Sequence, residues 1–165
     1  MDYIQRKQAS AWFVRHNLVI SIMNSPRKTY SGFINYLNKD QIFVSGSNTQ
    51  GRHGKGAALT ARLKFGAIYG QSEGIQGKSF AIITKDLTKK THPSRTTAQI
   101  ISQINKLYEY AALHPDKEFI IPYKCSDYNL NAYSSEDMAK MFASRDIPEN
   151  IIFDKLFYEL VKSYI

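Results

Sequence analysis

Between Thr96 and Leu113 the apolar side chains fall at Ile100, Ile104, Leu107, Tyr108 and Ala111. That spacing of i, i+4, i+7, i+8 and i+11 puts them on one face of an amphipathic helix. Pro93-Ser94 supplies its start and His114-Pro115 its stop. A second helix is predicted from Gly56 to Lys64, a run of good helix formers. A third begins at Ser134, with Asp137 completing a capping-box-like arrangement and Met138, Met141 and Phe142 forming the core stripe. A C-terminal helix is expected to bury Leu156, Phe157, Leu160 and Val161. Short apolar runs bounded by polar or turn residues read as buried strands: Ile42-Phe43-Val44, Ser79 to Thr84, Glu118 to Tyr123 and Asn150 to Phe153. Ala11 to Met23 fits neither period and reads as helix or strand. Strands alternating with amphipathic helices predict an α/β domain with a largely parallel sheet, whose ligands bind beyond the carboxyl ends of the strands.

Length and composition narrow this picture. A chain of 165 residues with 43% apolar content fits one domain with a real core. The single cysteine, Cys125, excludes an internal disulfide framework and suits a reducing compartment; it reads as a buried small residue. No apolar run reaches the roughly 18 residues of a membrane span, and the first residues lack the order of a signal peptide. The expectation is a soluble cytoplasmic protein with no membrane partner and no required cofactor. His16, His92 and His114 lack metal-ligand spacing, so no metal site is expected.

Charge and glycine are both unevenly spread. Residues 1–100 carry 15 Lys/Arg against 4 Asp/Glu, residues 101–165 carry 7 against 10, and the net charge is +8. A basic half beside an acidic one suggests an anionic partner on one side, although basic surfaces also serve solubility. Eight of the nine glycines lie between Gly46 and Gly77. Glycine costs about 0.5–1 kcal/mol in regular structure, so this cluster answers a local need for tight turns or for close backbone approach to a ligand.

The central segment runs strand, glycine loop, helix N-terminus, from Ile42 to Ala58. Unpaired amides at a helix start, with the helix dipole, form a site for phosphate. Two phosphate motifs are excluded: Lys55 is followed by Gly56 rather than by Ser or Thr, and Gly54 and Gly56 have no third glycine at position 59.

Gly46-Ser47-Asn48, Gly51-Arg52-His53-Gly54 and Gly56-Ala57-Ala58, followed by Phe65-Gly66-Ala67, Gln76-Gly77-Lys78-Ser79 and Thr84-Lys85-Asp86, resemble a macro-domain-like family of small phage and bacterial proteins. The likeness is specific over Ile42 to Asp86, looser from Phe119 onward, and does not reach residues 1–40, an N-terminal extension with no assigned role. It implies a macro-like three-layer α/β/α domain with a mixed, largely parallel central sheet. It also implies binding of ADP-ribose or a related nucleotide, and for some members hydrolysis of an ADP-ribosyl bond. By matched position Asn48 would hold the distal ribose and the Gly54-Lys55-Gly56-Ala57 backbone would line the diphosphate, with Gly46, Ser47, Gly51, Arg52 and Gln76 in the same ligand-binding set. Lys55 stands where a small residue is expected, Ile83 where proline is, and Lys124 to Tyr133 has no glycine for a second diphosphate loop.

The chemistry-bearing candidates each have a structural alternative. His53 is an acid/base or phosphate contact, or a loop histidine that fixes a turn. Arg52 pairs with phosphate or is solvated. Lys85 is a cation or nucleophile beside the ligand, or half of a salt bridge at a strand end. Asp127 is a catalytic base, and Asn129 and Asn131 are ribose contacts, or all three are turn-forming residues. Two rival functions stand beside the nucleotide-binding one: a basic nucleic-acid-binding protein, and a module that sequesters a nucleotide signal without turnover. Oligomeric state is not legible.

Overall fold

The computed structural model describes residues 3–23, 26–126 and 129–165. Its elements, in chain order, are helix α1 (Tyr3–Met23), strands β1 (Thr29–Tyr30) and β2 (Gln41–Asn48), α2 (Gly56–Lys64), β3 (Gly74–Gln76), β4 (Ser79–Lys85), α3 (Thr97–Leu113), β5 (Glu118–Ile121), α4 (Ser135–Phe142), β6 (Ile151–Asp154) and α5 (Lys155–Lys162). The fold is α/β, as expected. Six strands form one sheet in the order β1-β6-β5-β2-β4-β3, parallel throughout except for the β3–β4 pair. The parallel strands therefore share one carboxyl edge.

Strand alternation builds the layers. Ile42 and Val44 of β2, Phe80 and Ile82 of β4, Phe119 and Ile121 of β5, and Ile151 and Phe153 of β6 point to α3, α4 and α5, forming the large core. Phe43 points the other way, onto Ala61 of α2, Phe65 and Ala67, with Ile34 and Leu37 packed alongside. The result is a three-layer α/β/α sandwich with a thin second core under α2.

Helix ends follow local chemistry. Thr96 and Gln99 form a capping box on α3. The Ser134 hydroxyl accepts from Asp137 N on α4, and the Asp154 carboxylate accepts from Leu156 N and Phe157 N on α5. Ala11 to Met23, left open between helix and strand, belongs to a helix, α1, whose described side chains, Ile4 through Asn17, are all exposed. Two expectations need correction. Leu156 is 71% exposed: α5 starts directly at the end of β6, and its i, i+4 buried pair is Phe157 and Val161. Cys125 is exposed rather than buried, although what desolvation it has, followed by the nearby Asp154 charge, raises its thiol pKa.

Residues 26–40 acquire a role. The Arg27 guanidinium donates to the carbonyls of Ile147, Pro148 and Ile151, stapling the segment to the turn before β6. Tyr30 donates its hydroxyl to the Ile121 carbonyl. Lys124 donates to Gly32 O, pairs with Asp154 and lies 4.6 Å from the Tyr30 ring centroid. Thr29 and Tyr30 thereby become the edge strand beside β6.

Candidate functional site

At the carboxyl edge of β2, β4 and β5 a trough runs around the start of α2. Its middle, about 280 Å³, is floored by Val44, Ile82, Ile121 and Phe142 and rimmed by Lys55, Ala57, Tyr123, Asn129 and Asn131. One end, about 400 Å³, is lined by Asn48, Arg52, Gly54, Lys55, Lys85 and Leu87, and shares Gly46, Thr84 and Leu130 with the middle. The other end, also about 400 Å³, lies between Tyr30, Gly32, Phe33 and Ile34 on one side and Gly56, Ala57, Thr60 and Lys64 on the other, and meets the middle at Ala57, Pro122 and Lys124. Chambers of this size fall at or near the range of small-molecule sites, about 300–1,000 Å³.

The start of α2 is open. Lys55 takes the N-cap position in extended conformation and its side chain makes no capping bond. The first helical hydrogen bond runs from Leu59 N to Lys55 O, and the amides of Gly54, Lys55, Gly56, Ala57 and Ala58 donate to no protein acceptor among the described residues. Four orphan amides are inherent to any helix start. Here no Ser, Thr, Asp or Asn among the described residues covers them, and the positive end of the dipole meets the trough.

The bed is shaped by three further features. The register of β2 against β4 slips between Ser47 and Asn48, whose partners are Ile83 and Lys85, so Thr84 stands out of the ladder as a bulge. Ile83 N donates instead to the Gln103 side chain of α3. The bulge brings Thr84 and Lys85, consecutive residues, to the same chamber. Gly46 lies opposite: a Cβ there would stand 3.1 Å from Thr84 Oγ1. Leu130 crosses over α2, its Cδ1 3.1 Å from where a Gly56 Cβ would sit, so the 129–131 loop closes against the helix start.

Charge completes the site. Arg52, Lys55 and Lys85 line the terminal chamber without a salt bridge, and no Asp or Glu lines any of the three chambers among the described residues.

Most of the residues singled out in the sequence meet at this trough: Gly46, Ser47, Asn48, Arg52, Gly54, Lys55, Lys85 and Asn131 in the terminal chamber, and Ala57 and Asn129 beside it. Asn48 Oδ1 accepts from Gln50 N and Arg52 N, fixing the loop, while its Nδ2 has no protein acceptor among the described residues. Asn129 and Asn131 brace their own turn through Tyr133 O and Tyr133 N. Three candidates sit elsewhere. His53 is fully buried outside the trough, with Nε2 3.0 Å from both Ile68 O and Gln71 O, so that nitrogen carries the proton and ties the glycine loop to the 68–71 turn. Gln76 is buried and bridges the same turn, accepting from Ile68 N and donating to Gln71 O. Gly51 is buried, with φ +63° and a virtual Cβ 2.6 Å from the Gly70 carbonyl carbon, so it serves loop packing. Asp127 lies outside the described residues.

Sequence reasoning missed Thr84, Leu130 and the whole Tyr30–Phe33 chamber. Phe33 is 89% exposed, and an aromatic residue directly after Ser31-Gly32 was its one sequence signal. Also missed is Tyr123, whose buried hydroxyl has no partner among the described residues at the middle chamber. Burial, then the neighbouring Cys125, pushes that phenol above its ordinary range.

Comparison with family models, with curated proteins and with solved structures finds no match.

Proposed function

We propose that the protein binds a nucleoside diphosphate bearing a second sugar, of the ADP-ribose type. The observation that carries this reading is the row of amides from Gly54 to Ala58, which among the described residues have no protein acceptor and border a trough whose charged lining is cationic. An anion at a helix start gains about 0.3–2 kcal/mol from the dipole, and each hydrogen bond to a charged group about 1.5–3 kcal/mol. A diphosphate is the ligand group that uses several adjacent amides at once.

The order of the chambers suits the rest of such a ligand. The aromatic end, with exposed Phe33, offers a face on which a base stacks. The terminal chamber, with the free Asn48 amide and Lys85, offers donors to sugar hydroxyls. This assignment gives residues 26–40 a function: they build the base-binding wall.

Calorimetry tests the reading. Saturable one-to-one heat with ADP-ribose, reduced at least tenfold in affinity when adenosine replaces it, is the expected result. No heat at high micromolar ADP-ribose, while an unrelated nucleotide binds, rejects it. The hydrolytic version puts Lys85 or Asp127 at the anomeric carbon; product release from an ADP-ribosylated protein that is unchanged in both Lys85→Ala and Asp127→Ala removes both from the chemistry. Stoichiometric binding without product marks the sequestering version.

A further inference from the structure

Among the described residues, none of the nine Lys and Arg between positions 51 and 100 enters a salt bridge. Among the described residues the ion pairs use other cations: Arg27, Lys28, Lys106, Lys117, Lys124, Arg145 and Lys162. Five of these unpaired cations, Arg52, Lys55, Lys85, Lys89 and Lys90, gather at and beyond the carboxyl ends of β2 and β4 and make a directional field for a polyanion.

Three of these cations lie in the terminal chamber, and the loop that follows β4 continues them outward. Leu87 of that loop lines the chamber, and Lys89 and Lys90 follow at its exposed tip. The loop is braced rather than slack: Asp86 Oδ1 accepts from Thr49 Oγ1, Thr88 N and Thr88 Oγ1, and Asp86 N donates to the buried Ser94 hydroxyl. On the other flank the turn that holds the glycine loop presents Tyr69, 62% exposed, with the Arg62 guanidinium 5.8 Å from its ring centroid. Gly70 N, the next residue, donates to Gly51 O beside Arg52. A basic track with an exposed aromatic platform is the chemistry of single-stranded nucleic acid rather than of an acidic peptide, because bases stack and carboxylates do not.

We infer that the nucleotide bound in the trough is carried on single-stranded nucleic acid, which leaves the terminal chamber between Lys89 and Lys90 on one flank and Tyr69 on the other. This rests on the nucleotide-diphosphate reading of the trough, and it names the bearer of that group.

The test uses the full chain and three probes: free ADP-ribose, a ten-nucleotide single strand with a 5′-phosphate, and the same strand joined at its 5′ end to AMP through a diphosphate. The adenylylated strand is expected to bind at least tenfold more tightly than either other probe at low salt. In Lys89→Ala/Lys90→Ala that advantage should shrink at least fivefold while ADP-ribose affinity holds. The slope of log affinity against log salt should flatten by about 1.4, as expected for two lost single-strand phosphate contacts at about 0.7 each. Equal affinity for the adenylylated strand and ADP-ribose overturns the inference, as does an advantage untouched by the double substitution. Competition by poly-glutamate as effective as by the unmodified strand reassigns the face to acidic protein and also overturns it. If both strands bind alike and ADP-ribose not at all, the trough reading fails while the basic face stands.

Discussion

Two glycines of the loop illustrate opposite constraints. Gly46 has ordinary backbone angles and an exposed position in the trough, and an added methyl would meet only the Thr84 side chain, its hydroxyl at 3.1 Å and its methyl at 3.8 Å. Gly46→Ala should therefore cost under about 1 kcal/mol of stability and weaken ADP-ribose binding several-fold; thermal melts and calorimetry on one sample separate the two. Gly51 combines positive φ with a clash against backbone at 2.6 Å, so Gly51→Ala should cost more than about 1–3 kcal/mol. An alanine variant there with unchanged melting contradicts the packing described. His53 follows the same logic: it is bonded to two carbonyls and sealed from the trough. His53→Ala should destabilise by about 2–4 kcal/mol through lost bonds and a cavity. A variant that melts normally yet loses all activity would restore His53 to the chemistry. Sequence inspection could not decide this, because a glycine-flanked histidine reads the same whether its ring faces ligand or carbonyls. The same blindness applies to Gln76, and to Cys125, whose exposure depends on how the loop after β5 lies.

At the scale of elements, legibility followed the strength of the local pattern. The span Gly56–Lys64 was readable as it stands, because helix formers fill it and glycines precede it. Strand cores were readable and their ends were not. β2 runs on through Gly46 to Asn48, since its ladder with β4 persists where the apolar signal stops. The bulge at Thr84 is a tertiary product, set by Gln103 of α3 taking the Ile83 amide. β1 has two residues and no periodicity, and it exists because Arg27, Tyr30 and Lys124 hold it. Arg27→Ala removes the guanidinium from three carbonyls, of which Pro148 O keeps Ile151 N as a donor, and should cost about 2–4 kcal/mol. If Tyr30 helps to wall the base, as proposed, the substitution should also weaken ADP-ribose more than it weakens inorganic pyrophosphate. Equal losses for both ligands, measured by competition, would detach residues 26–40 from base recognition.

Over the whole molecule, charge separates into a paired and an unpaired side, a division foreshadowed by the basic first hundred residues and the acidic remainder. The carboxylates held by hydrogen bonds, Asp86 of the basic loop among them, set the acid response. Glu118 is held below its ordinary range chiefly by its hydrogen bond from Lys28, Glu73 by those from Gln103 and Lys106, and Asp86 by those from Thr88. A depressed folded pKa stabilises the fold above the unfolded value, about 4 for a carboxylate. That contribution disappears as pH falls through the lowered folded values. The melting temperature should accordingly hold from neutral pH to about 5 and drop below about 4; a rise on acidification would contradict the pairing.

The cations that line the trough meet the open start of α2. Backbone amide shifts followed by nuclear magnetic resonance during an ADP-ribose titration address it directly. The expected result is that Gly54, Lys55, Gly56, Ala57 and Ala58 move most, together with the Phe33 amide, while the Lys117–Glu118 edge stays still. Movement confined to other residues, or amides at 54–58 that remain in place at saturating ligand, would contradict it.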